Sequence, residues 1–167
     1  METPTQIRLY TLPTPLRWLL FLTVFNITVG TGVGLYYVAQ TTHLSPEGTT
    51  EQFSGSNTET DFDIPEKYPK PVSELLTTTH NHILSLTLIS LILGGIFFFN
   101  STISGSIKSF LILEPFISIL LTFGGIWLVR FIQPLFVYVV MLSGILMYSC
   151  YFIMAGVVLY ELGWKKK

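Results

Sequence analysis

Four long apolar runs set the pattern of this chain, and polar residues gather between them. The first run is Leu16–Gln40, led by Arg17 and Trp18 and free of charge after Arg17. The second is Ile83–Phe99, the third runs from about Ile107 to Val129 and closes on Arg130, and the fourth is Leu135–Leu162, opened by Pro134. A spanning helix needs about 20 apolar residues, so the pattern predicts spans at about 16–40, 78–99, 107–130 and 134–162. Ile83–Phe99 is short for a span, which places the helix start earlier, with Ser73 as a candidate cap. Proline suits a helix's first turn, as Pro134 would supply. The first run is too long for a signal-peptide core, and no small-residue cleavage site of the usual kind follows it. It reads as a retained span.

The stretch between the first two spans, 41–77, is of another kind. It holds the acids Glu47, Glu51, Glu59, Asp61, Asp63, Glu66 and Glu74 against Lys67 and Lys70. Pro46, Pro65, Pro69 and Pro71, with Gly48 and Gly55, punctuate it, and Ser-Gly-Ser-Asn at 54–57 reads as a turn. It has too few apolar residues for a core of its own.

Composition narrows the class. Half of the residues are hydrophobic and only 11% are charged, against about 25% in soluble domains. This excludes a disordered chain, a basic nucleic-acid binder and most soluble enzymes. A net charge of −1 gives no pull towards a polyanion. One cysteine, Cys150, excludes an internal disulfide and a multi-Cys metal site. The expected fold is an all-α integral membrane four-helix bundle, a single transmembrane domain over 1–167, with an acidic extracytoplasmic loop between helices one and two. With four spans both termini share a side. Arg8, Arg17, Lys108, Lys165, Lys166 and Lys167 fall there, and Lys67, Lys70 and Arg130 fall on the other. The positive-inside rule then makes both termini cytoplasmic, and the terminal lysines can meet anionic headgroups.

Small residues let helices approach in lipid. Gly30 and Gly34 form a GxxxG in the first span, and Gly94-Gly95, Gly124-Gly125, Gly144 and Gly156 mark the others. These serve a compact bundle or, on one face, a partner protein. Asn26, Thr28, Ser85, Thr87, Ser90, Ser118 and Ser143 are expected to bond between helices or to the backbone. Trp18, Trp127, Trp164, Tyr36 and Tyr37 read as interfacial belts. Glu114-Pro115 lies two turns into the third run. One reading starts the helix at Pro115 and leaves Glu114 at headgroup depth near the positive helix end. The other leaves a carboxyl in hydrocarbon, which marks function. Arg130 reads as a snorkelling anchor or as a site for an anionic group.

His43, His80 and His82 map to the outer face, His43 just past the first span and the pair at the entrance to the second. Imidazoles from two helices at one depth suit a b-type haem or, with Glu47 or Glu74, a Zn or Cu site. His80 and His82 lie about 200° apart on a regular helix, so they do not converge as one pair. Interfacial histidines without a ligand are the plainer reading. Thr77–Thr79 and Asn81 can orient an imidazole through its second nitrogen. The chain has no CxxCH, no Gly-rich phosphate loop and no evident nucleophile–base set.

Thr77–Ile83 (TTTHNHI), Leu113–Phe116 (LEPF) and Gly124–Arg130 (GGIWLVR) carry a resemblance. Across most of its length the chain resembles small four-helix bacterial inner-membrane proteins with a short acidic loop after the first span. The resemblance implies architecture and no activity.

The function expected from these readings is a non-catalytic subunit or accessory of a membrane assembly, with membrane lipids and other membrane subunits as partners and no nucleic acid. The alternative is an electron-transfer protein whose haem b is ligated by His80 or His82, with His43 as second ligand. A transporter would show paired broken helices, and Glu114-Pro115 is the one break candidate.

Overall fold

The computed structural model describes residues 8–56 and 66–165. Lys166, Lys167, Asn57, Glu59, Asp61 and Asp63, which entered the charge and turn readings, lie outside them. The described residues form helices and connections only. A short 3-10 turn, Leu9–Thr11, precedes α1 (Thr14–Thr42). Then follow α2 (Pro46–Ser54), α3 (Val72–Phe97), α4 (Gly105–Phe131) and α5 (Val137–Gly163), the last entered through a 3-10 turn at Pro134–Phe136. Four of these, α1, α3, α4 and α5 with its leading turn, are long and apolar enough to cross a membrane. At 1.5 Å per residue each is about 40 Å long, so each exceeds a hydrocarbon core of about 30 Å.

α5 is the central helix and packs against α4, α1 and α3, whereas α1 lies against α5 and barely meets α3. Burial follows this arrangement. α5 buries residues along its whole length, from Val137 to Leu162, while α1 buries only Val24 and Thr42. Close approach is marked by particular glycines. A Cβ on Gly125 would stand 2.7 Å from Val140 Cγ2, which sets the α4–α5 crossing. Gly94 faces Ile112 across α3–α4, and Gly34 and Gly163 face Tyr148 and Phe21 across α1–α5. Gly30, Gly95, Gly124, Gly144 and Gly156 meet no neighbour, so half of the GxxxG pair is used inside the chain and half is open.

The 41–77 stretch differs from the loop expected of it. His43 and Leu44 take left-handed backbone conformations and reverse the chain after α1. Pro46 then begins a helix, which Ser45 caps by accepting the Gly48 N–H at 2.9 Å. α2 lies across the ends of α1 and α4, with the Ser54 hydroxyl donating to the Val129 carbonyl at 3.1 Å. Gly48 sits so close to α1 that a Cβ there would be 2.2 Å from the Thr42 carbonyl oxygen. Among the described residues of the stretch, Phe53 packs on the bundle's core. α3 starts at Val72, earlier than the predicted boundary, and Pro71 rather than Ser73 takes the cap position without a side-chain bond. Lys70 and Glu74 pair across this junction.

Candidate functional site

The third span does not begin at Pro115. α4 runs unbroken from Gly105 to Phe131 with Pro115 inside it. Proline removes the hydrogen bond that Leu111's carbonyl would receive, a loss that membrane helices tolerate where neighbours bury it. Here Pro115 is fully buried. Glu114 therefore lies nine residues, about 14 Å, into the helix and is 7% exposed.

Its surroundings form a polar seam through the bundle. The Ser118 hydroxyl, one turn on, donates to Glu114 Oε1, while Oε2 has no hydrogen-bond partner. The Cys150 thiol of α5 lies beside the carboxyl. Thr122 and Ser143 share a hydrogen bond of 2.7 Å across α4–α5. Where α5 meets α3, Tyr151 and Ser90 are 2.6 Å apart, and the Tyr151 hydroxyl donates to the Leu86 carbonyl at 3.1 Å. Beside Glu114 a groove of about 490 Å³ runs between α4 and α5, lined by Ser118 and Ser143 and by Phe110, Ile117 and several leucines. Thr28, Ser85, Ser90 and Ser143 also bond back to their own helices, as expected of hydroxyls in spans. Asn26 does otherwise. It is exposed on α1.

The histidines stand apart from this seam. His80 and His82 lie on α3, in its third turn after Val72, and both are exposed. His82 is turned towards α4, its ring 5.0 Å from that of Phe123 and its Nδ1 2.8 Å from the Thr78 carbonyl. Next to it, Trp127 Nε1 donates to Thr79 Oγ1 at 2.9 Å, so this tryptophan joins two helices and is more than a belt residue. His43 is exposed and ends α1, its backbone N–H donating to the Ala39 carbonyl at 3.0 Å. Among the described residues no three His, Cys, Asp or Glu side chains gather as a metal site. Arg130 Nε bonds the Lys70 carbonyl at 3.4 Å and its guanidinium lies over Phe131, which fixes it at the end of α4.

One cluster was not singled out by the sequence reading. Glu161, fully buried at the end of α5, receives the turn between α3 and α4 through Ser101 and Thr102, with Lys165 alongside. The available signal was Glu161 four residues before Lys165 at the close of an apolar run.

These features define a multi-pass membrane protein whose described residues form four membrane-length helices and a capping helix. The chain belongs to the Aq_1264_TM family, a transmembrane helical domain, which it matches over residues 43–167. That match takes in α2 to α5 and leaves out α1. No curated protein and no solved structure matches the chain.

Proposed function

We propose that the chain is a non-catalytic subunit or accessory protein of a membrane assembly, placed in the bacterial inner membrane with both termini cytoplasmic. The observation that carries this reading is the outer face of α1. Asn26, Gly30, Val33 and Tyr37 follow one another at helical spacing, and all are exposed. Hydrocarbon gives the Asn26 amide no partner, so the amide favours a second helix that brings one. Gly30 leaves room for that helix's backbone. The partner is a transmembrane segment with an amide or hydroxyl at matching depth. The orientation is supported by grouping at one end of the bundle. Arg17 bonds the Leu162 carbonyl at 3.1 Å and Lys108 the Asn100 carbonyl at 3.0 Å, so these cations and Lys165 share that end. Co-purification from native membranes in mild detergent tests the reading. A membrane partner whose recovery falls with Asn26→Leu is the expected result. A monomeric wild-type chain, or recovery indifferent to Asn26, overturns it.

A second reading, a b-type haem near the outer face, has one observation in its favour. The Thr78 carbonyl holds His82 Nδ1, and a held Nδ1 leaves Nε2 as the ligating nitrogen. His80 and His43 are the other candidate ligands. An optical spectrum, oxidised and then dithionite-reduced, with metal analysis alongside, tests it. A colourless, metal-free preparation from haem-replete cells removes this reading.

A further inference from the structure

We propose that the groove between α4 and α5 binds a lipid-soluble molecule that presents an O–H or N–H group to Glu114. The inference goes beyond the accessory role and stands on a different face of the bundle.

Glu114 is more than nine-tenths buried and is one of the residues lining the groove, and its Oε2 has no hydrogen-bond partner. An acceptor left unpaired in an apolar setting costs the full desolvation of that oxygen. The donors nearby are already engaged. Ser118 serves Oε1, and Ser143 donates to the Val139 carbonyl at 2.7 Å while pairing with Thr122. Cys150 offers only a thiol, a weak donor. No cationic side chain lines the groove. A ligand entering the groove can bring the stronger donor that the protein does not supply.

The rest of the groove describes that ligand's body. Phe110, Leu113, Ile117, Leu121, Leu142 and Leu146 form its walls, and their exposure places them on the lipid side of the bundle. Entry is thus from the bilayer. About 490 Å³ lies within the range of small-molecule sites. An apolar chain along the walls with one donating head at Glu114 satisfies both the shape and the orphaned oxygen.

The test uses the full chain in phosphatidylcholine nanodiscs. The probes are hexadecanol and hexadecylamine, each with a mid-chain diazirine, and the same diazirine in hexadecane is the control. Photolabelling mapped by peptide mass spectrometry is expected to concentrate on 110–121 and 139–146 for a headed probe and not for the hydrocarbon. Labelling by the alcohol alone assigns a hydroxyl ligand, by the amine alone a cationic one, and both outcomes support the site. Glu114→Leu should lower it about tenfold, the factor of one hydrogen bond, and Glu114→Gln, which keeps a carbonyl acceptor, should retain most of it. Ile117→Trp fills the groove from an exposed position with Glu114 intact, and it should also abolish the labelling. Equal labelling by all three probes, or labelling unchanged in Ile117→Trp, overturns the proposal.

Discussion

Glu161 accepts the backbone N–H of Ser101 at 2.8 Å, although sixty residues of chain separate them. The same oxygen takes the Ser101 hydroxyl at 2.9 Å and the Thr102 hydroxyl at 2.6 Å. Asn100 completes the turn by accepting the Thr102 and Ile103 N–H groups at 3.0 and 2.7 Å. One carboxylate thus ties the end of the central helix to the connection between α3 and α4. Lys165 reaches both partners from the next turn and lies over the Tyr10 ring.

Glu161→Ala leaves three donors of that turn unpaired. Charge-assisted bonds of this kind contribute about 1.5–3 kcal/mol each when removed singly, and they are not additive. A loss of about 2–4 kcal/mol is expected in reversible unfolding in mixed micelles. Lys165→Ala should cost under about 1 kcal/mol, because its ion pair is partly exposed. Equal effects from both variants would mean that the ion pair, and not the turn, holds this end together.

Two adjacent glycines should behave oppositely. Gly125→Ala brings a Cβ to 2.7 Å from Val140 Cγ2, whereas Gly124 has nothing within 4 Å. The first substitution should cost about 1–3 kcal/mol by overpacking, and the second should stay within about 0.5 kcal/mol. Val140→Ala combined with Gly125→Ala should recover part of the loss. A thermal melt of the four proteins in one detergent decides this, and indistinguishable melts for Gly124→Ala and Gly125→Ala would show that α4 and α5 do not cross there.

The four spans were legible because length and apolarity alone define them, and tertiary detail adds little to that signal. Boundaries were less legible. The span boundary at about 78 cut off Val72–Thr77, which belongs to α3, because a helix of 26 residues is longer than a hydrocarbon core and can carry polar side chains past it. α2 was hidden because its nine residues bury only Gly48 and Thr49 and rest on other helices. Glu114 was visible as an anomaly, but Pro115 suggested a break that packing overrides. Glu161 was invisible as a site because its partners, Ser101 and Thr102, are distant in sequence and ordinary in kind.

Tyr151 offers a test of the seam's other half. Its hydroxyl is buried between Ser90 and the Leu86 carbonyl. Tyr151→Phe keeps the ring and leaves Ser90 bonded to Leu86 at 2.8 Å. The expected cost is about 1 kcal/mol, that of one neutral hydrogen bond. Tyr151→Ala should cost about 3–5 kcal/mol, since the ring is core as well as donor. Equal costs for the two variants would place the stabilisation in the hydrogen bond and not in the packing.

The proposed orientation predicts opposite behaviour of reporters at two positions. Arg17, Lys108 and Lys165 lie at one end of the bundle, and Lys67, Lys70 and Arg130 lie at the other together with Glu74 and the α2 acids Glu47 and Glu51. Short loops with excess Lys and Arg stay cytoplasmic, and acidic residues contribute little to that choice. A phosphatase reporter fused after Asn57 should be active, and one fused after Lys167 inactive, with a fluorescent cytoplasmic reporter giving the reverse. The charge argument can be strained further. Arg17 bonds the Leu162 carbonyl and so also anchors α1 to α5, which gives Arg17→Gln a double effect. Lys108→Gln together with Lys165→Gln removes charge from the same end while leaving that anchor intact. If charge sets the orientation, this pair should raise the fraction of inverted chains at the Asn57 reporter, and adding lysines to α2 should raise it more. Identical reporter activity at both positions in the unaltered chain would mean an even number of spans between Asn57 and Lys167 in place of α3, α4 and α5, and would exclude the four-span arrangement with both ends in the cytoplasm.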